Sequence, residues 1–330
     1  MDMELFCAER LQDSQIAERD PAIFEDMRVL QNLLDLESLY IPSCNYFETI
    51  QKDLQPFMRK VVTTWMLEVC EEQRCEDQVF PLAVNLLDRF LCACAISRRQ
   101  LQLAGAVCLL LASKVRQCHA LSVDLLCAYT DHSITPADMR SWELLVLGKL
   151  RWEAVAVTGY DVADHVLARL SASSASASAT TPPPLRLHPL TRQHAITLVG
   201  FCYVEPEFIQ SPPSLLAAAS ICAAVRGLHP GASTHVLSSM ARTVCAITRA
   251  DPQATEAVIR HIERALAAEV ANQQQQLPPQ AAPLPGYTPA PGAALQPTAS
   301  AKMAGVVPEE SEVEEDRQPE TPIDVQDVHF

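Results

Sequence analysis

Along residues 55–152, apolar side chains recur at helical spacing, and no stretch of any length alternates with the two-residue period of a strand. Met58, Val61, Val62, Trp65 and Val69 share one face, which predicts an amphipathic helix over 55–73 opened by Pro56. A second helix is predicted over 78–93. Leu101 to Val115 is apolar almost all round, the pattern of a helix packed on every side, within a predicted helix at 98–117. Shorter helices follow at 121–129 and 135–149. The latter opens on Thr135-Pro136, with Asp138 where the helix dipole favours an anion. Gly148 near its end is tolerated at a cost of about 1 kcal/mol. Upstream, Pro21 to Tyr40 predicts one helix with Asp20 as N-cap and a stripe of Ile23, Met27, Leu30, Leu33 and Leu34. Beyond Trp152 a second set is predicted at 159–170, 189–203, 212–227, 233–247 and 251–271, the last opened by Asp251-Pro252. Two successive sets of five helices predict an all-α, duplicated architecture.

Composition shifts supply the boundaries. Residues 1–20 are polar, and 21–152 hold the N-terminal helix and the first helical set. Residues 153–271 hold the second set, interrupted at Ser171–Pro184 by a Ser/Ala/Thr/Pro run that cannot make a packed core and reads as an exposed loop insertion. From Asn272 to Phe330 four glutamines and a Pro/Ala-rich stretch read as a disordered tail. The chain has 330 residues, 48 % apolar and 20 % charged, with net charge −15. The tail, with nine acidic and two basic residues, carries −7 of that. A negative chain repels phosphate backbones, so nucleic acid is not an expected ligand. No segment has the roughly 18–20 uncharged apolar residues of a membrane span, and the acidic start MDMELFCAER lacks the features of a signal peptide. The expected location is therefore nucleus and cytoplasm, where the twelve cysteines are thiols. None forms a CxxC: Cys70 and Cys75 are five apart, Cys92 and Cys94 two apart, so no metal site is expected. Cys118-His119 reads as an exposed polar turn. The sequence contains no Gly-rich phosphate loop, GxSxG or HExxH, so neither catalysis nor a cofactor is expected.

The stretch MRKVVTTWMLEVCEEQRCE with FPLAVNLLDRFL, followed by LQLAGAVCLLLASKVRQ and SWELLVLGKLRW, resembles the cyclin box over about 100 residues, and its wording is similar to that of the D-type cyclins. The resemblance implies two tandem five-helix cyclin boxes. It also gives meaning to a lone Lys114 ending the buried segment and to Glu143 on a later helix. By residue chemistry alone these two form either an internal salt bridge or a contact to a partner. By resemblance they hold the mobile αC helix of a cyclin-dependent kinase, with Val115 and Leu147 as apolar contacts beside them. Met58, Val61, Val62 and Trp65 can serve as core or as surface. By resemblance they form, with Glu68 one turn further and Gln102 at the edge, a groove for RxL-type peptides of substrates and kinase-inhibitor proteins. Leu5, Cys7 and Glu9 make an LxCxE segment, which in this family binds retinoblastoma-family proteins. Thr321-Pro322 is a proline-directed phosphorylation site before IDVQDV, which resembles the family's terminus; by that resemblance it is a degradation and nuclear-export switch read by ubiquitin-ligase machinery. The expected function is a regulatory subunit that activates a cyclin-dependent kinase and drives passage from the first gap phase to DNA synthesis. Two alternatives carry less weight. A cyclin-fold transcription scaffold needs a basic surface, and a non-activating member would act as an inhibitor sink.

Overall fold

The computed structural model describes residues 20–175 and 187–276. Among these residues it is helical throughout, without strands, and no helix is long and apolar enough to cross a membrane. Leu5, Cys7, Glu9, Thr321 and Pro322 lie outside the described residues, as do 176–184 of the expected insertion and all of the expected tail beyond Gln276.

The N-terminal segment is two helices, α1 (Pro21–Glu25) and α2 (Met27–Leu36), where the hydrophobic stripe predicts one. The break is at Asp26, which is extended (φ −68°, ψ 117°) and accepts the Arg28 N–H at 2.8 Å as the cap of the second helix. A short polar side chain offers the backbone this alternative to helix continuation. A four-residue helix, α3 (Tyr46–Thr49), escapes sequence reasoning because one turn has no period.

The first box comprises α4 (Pro56–Glu72), α5 (Val79–Ala93), α6 (Leu101–Arg116), α7 (Val123–Ala128) and α8 (Pro136–Lys149). Pro81 sits in the first turn of α5, where its missing N–H costs nothing. α6 is the central helix, with Ala104 through Cys108 fully buried between α4, α5 and α8. Gly105 permits the closest approach: a Cβ there would lie 2.8 Å from Val62 Cγ1 and 3.3 Å from Met66 Sδ. α8 begins with a reciprocal capping box between Thr135 and Asp138.

The second box comprises α9 (Gly159–Ala175), α10 (Thr191–Val204), α11 (Pro213–Leu228), α12 (Thr234–Thr248) and α13 (Pro252–Gln276). Ser171 to Ala175, expected in the loop insertion, instead extend α9. The Ser171 hydroxyl is absorbed by the Leu167 carbonyl at 2.9 Å, which lets a polar residue stay helical. Likewise Asn272 to Gln276 continue α13 rather than starting the tail.

Each box has its own core, and the N-terminal helices belong to the second rather than the first. Leu30 and Leu34 pack with Val166, Leu167 and Ile259, and Asp35 pairs with Arg249 beyond α12 at 2.6 Å. The boxes are joined by a buried polar knot. Arg59 of α4, 1 % exposed, donates to Asp88 of α5 through Nε at 2.9 Å and Nη2 at 2.7 Å, and through Nη1 to the Val204 carbonyl of α10 at 2.8 Å. Tyr46 of α3 donates to the same carboxylate at 2.8 Å. Burial works against the Arg59 charge, but the Asp88 carboxylate outweighs it and holds the guanidinium's affinity for its proton above the ordinary value. Lys60 to Glu205 at 2.6 Å and Arg192 to Asp77 at 3.1 Å reinforce the same seam nearer its surface.

Candidate functional site

Two faces of the first box gather the candidate residues. At the first, Lys114 stands in the last turn of α6, where the helix dipole favours a cation, and its ammonium donates to the Glu143 carboxylate of α8. The position is fixed from behind. Ser113 is buried, its hydroxyl donating to the Leu110 carbonyl at 2.8 Å and accepting the Leu121 N–H at 3.0 Å. Arg116 ties the helix end to Gln78 at 2.7 Å and to the Ala156 carbonyl at 3.0 Å. Of the two readings open at Lys114 and Glu143, the structure realises the internal ion pair. The lysine side chain nevertheless stays 46 % exposed, and an ammonium with three donors has capacity beyond this one bond. Val115 beside it is exposed. Leu147 is half-buried against the first core, and the apolar side chain presented at that level of α8 is Leu144, 64 % exposed. Sequence periodicity misses Leu144 because Leu144, Leu145 and Leu147 read alike until the helix is set in place.

The second face is an apolar groove of about 580 Å³ between α4 and the start of α6. Met58, Val61, Val62, Trp65 and Gln102 line it, together with Phe57, Leu101, Arg98 and Arg99. Its second wall, Arg98 to Gln102, is short. A 3₁₀ turn over Arg98–Gln100 builds it, with Ser97 and Gln100 capping each other and the Arg98 N–H bound to Asp53 at 3.0 Å. Glu68 lies beyond the reach of that wall, on the exposed side of α4, and does not line the groove. Phe57 and Val61 are each more than 60 % exposed, an unusual state for large apolar side chains side by side. Cys118 is exposed in the turn after α6, as expected. Among the described residues no group of three His, Cys, Asp or Glu is placed to hold a metal.

Residues 28–155 match the cyclin N-terminal domain family and residues 172–282 the cyclin C-terminal domain family. The chain is 44 % identical over 276 residues to the G1/S-specific cyclin-D2 of Xenopus laevis, covering 83 % of this chain and 91 % of that one. The chain belongs to the D-type cyclins. To the human G1/S-specific cyclin-D3 the identity is 43 % over 264 residues, covering 80 % and 86 %. The fold is similar to that of a viral cyclin from herpesvirus saimiri, with a TM-score of 0.56 at 24 % identity over 71 % of this chain and 98 % of the other. As a D-type cyclin the protein is a regulatory subunit of a cyclin-dependent kinase at the passage from G1 to S, not itself a catalyst. In this cyclin the residues that sequence reasoning missed are Arg59 and Asp88, whose pairing spans 29 positions, and the groove residues Phe57, Leu101, Arg98 and Arg99. Beside Lys60 and off the apolar stripe, Arg59 gives no sign in the sequence that it is interior.

Proposed function

We propose that this cyclin activates its kinase through the α6–α8 face, with Lys114 and Glu143 taking hydrogen-bonding partners on the kinase's αC helix and Val115 and Leu144 packing beside them. Charge-assisted bonds that lose water on docking register the two surfaces, and preferential binding of the inward αC state raises the population of active kinase. The observation that carries this reading is the half-exposed ion pair flanked by exposed apolar side chains on the family's own fold. The apolar groove on α4 takes RxL-type segments of substrates and of kinase-inhibitor proteins, their apolar anchors on Trp65 and Val61. Leu5, Cys7 and Glu9 bind retinoblastoma-family proteins in extended form. Together the two contacts raise the local concentration of substrate. Phosphorylated Thr321, followed by Pro322, is read by ubiquitin-ligase machinery, and the protein works in nucleus and cytoplasm. The deciding experiment is phosphorylation of a retinoblastoma fragment by a purified cyclin-D-responsive kinase, with wild type against Lys114→Glu. Stimulation by wild type and its loss in the variant supports the reading. Equal stimulation by both removes the α6–α8 face from it.

A further inference from the structure

The end of α4 brings two thiols together. Arg74 lies in the left-handed region (φ 50°), the Cys75 N–H donates to the Cys70 carbonyl at 2.9 Å, and the Arg74 N–H donates to the Glu71 carbonyl at 3.2 Å. These are the two main-chain bonds of a Schellman stop, in which the side chains of the first and last residues of the loop meet. Those two positions are ordinarily apolar; in this chain both are cysteines. The 2.9 Å bond also limits the α-carbon separation to the range a disulfide spans, roughly 4.4–6.8 Å. Cys70 is buried and Cys75 half-buried, and both line a cavity of about 260 Å³ together with Arg74, Glu76 and Asp77. A small oxidant fits such a space.

We propose that Cys70 and Cys75 are a peroxide-sensitive dithiol, with Cys75 the attacking sulfur and Cys70 the resolving one. The neighbouring Cys70 side chain, and after it Gln117, hold Cys75 below the ordinary thiol range against the opposing effect of burial. Cys75 and burial push the Cys70 thiol up, and the more exposed Cys75 is the sulfur a peroxide reaches first. The thiolate is the nucleophile. Cys75 S⁻ attacks one oxygen of a hydroperoxide; the S–O bond forms as the O–O bond breaks, and the departing oxygen leaves as hydroxide or alkoxide and takes a proton from solvent. The sulfur is oxidised to sulfenic acid and the peroxide is reduced. The Cys70 thiol then loses its proton and attacks the Cys75 sulfur. The S–S bond forms and the hydroxyl leaves with a proton as water. A second thiol pair in the same box supplies the contrast. Cys92 Sγ donates to the Cys44 carbonyl at 3.6 Å, and burial pushes Cys92 up to about 11, so it stays protonated and inert.

The test uses the reduced full-length chain, treated with less than one equivalent of hydrogen peroxide, alkylated and digested with trypsin. Cleavage after Lys60, Arg74 and Arg89 puts the two cysteines on separate peptides, 61–74 and 75–89. The expected product is that pair joined by a disulfide and separated by reductant, with Cys118 and Cys92 still alkylated. Cys70→Ser should leave a dimedone-reactive sulfenic acid at Cys75, whereas Cys75→Ser should leave Cys70 unoxidised. At neutral pH, iodoacetamide should modify Cys75 at least about tenfold faster than Cys92. Earlier oxidation at Cys118 or Cys92, equal alkylation of Cys75 and Cys92, or a sulfinic Cys75 beside a free Cys70 overturns the proposal.

Discussion

Arg59 and Asp88 meet in the interior through two parallel hydrogen bonds, with Tyr46 and the Val204 carbonyl taking further positions around them. Lys114 and Glu143 meet at the surface through one, between side chains 46 % and 18 % exposed. Both are cation–carboxylate pairs between neighbouring helices of the same box. In the interior, each unpaired polar atom costs the full loss of its water, so the pair is surrounded by partners and becomes part of the seam between boxes. At the surface, water covers the unused donors cheaply, and those donors remain available to another protein. Burial thus separates a charge pair that joins the fold from one that can change partners.

That contrast can be broken most severely at Arg59. Arg59→Ala leaves Asp88 charged and buried, and urea unfolding should show a loss of about 3–5 kcal/mol, with weakened association between boxes. A smaller loss would mean that water reaches the seam. Gly105→Ala should cost about 1–3 kcal/mol by overpacking, because the new methyl group meets Val62 and Met66 before α4 and α6 can separate. The groove should lose peptide affinity in parallel, measured by fluorescence anisotropy. Lys114→Glu should change stability by no more than about 1 kcal/mol while abolishing kinase stimulation, the reverse of the Arg59 behaviour. Val61→Asp, at a position 64 % exposed, should leave the unfolding midpoint nearly unmoved yet remove docking of RxL-type peptides. The smallest effect expected is one of pH. His165 of α9 is buried against Phe24, their ring centroids 4.6 Å apart. Burial and then Arg169 hold the imidazole below its ordinary value, with Asp161 and Asp164 opposing them. A lowered folded value means that the unfolded chain takes up the proton first. The contribution is intact above the unfolded value, near 6.5, and is lost as pH falls below it. Unfolding midpoints at pH 7.5 and 5.5 should differ less for His165→Gln than for wild type.

Three helices of the first box are legible for different reasons: α4 from its stripe after Pro56, α6 from a run apolar almost all round, and α8 from its Thr135-Pro136 start. What escaped depends on partners distant in sequence. Arg59 reads as one of two basic residues on a solvated face until Asp88 is brought against it. The groove was half legible: Met58, Val61, Val62 and Trp65 mark one wall, but Leu101 and the two arginines belong to another element. Glu68, which the resemblance puts one turn further along the groove, lies past the short second wall, because the extent of that wall is set by a separate element. Asp26 divides the N-terminal stripe through a cap, a local hydrogen bond that periodicity does not register. The N-terminal helix adjoins the first box in the chain and packs on the second, a choice that no local pattern records.

That last placement has a consequence for how the chain is made. Asp35 and its partner Arg249 are 214 positions apart. At synthesis rates of roughly 5–20 residues per second, α2 leaves the ribosome about 10–40 s before the last part of its seat. Until α9 emerges Leu30 and Leu34 have no core to enter, and until Arg249 follows their seat is incomplete, while the whole first box can close. One of the first helices made is therefore among the last to have its seat completed, and a nascent chain stalled before α9 presents it to any chaperone or protease at hand.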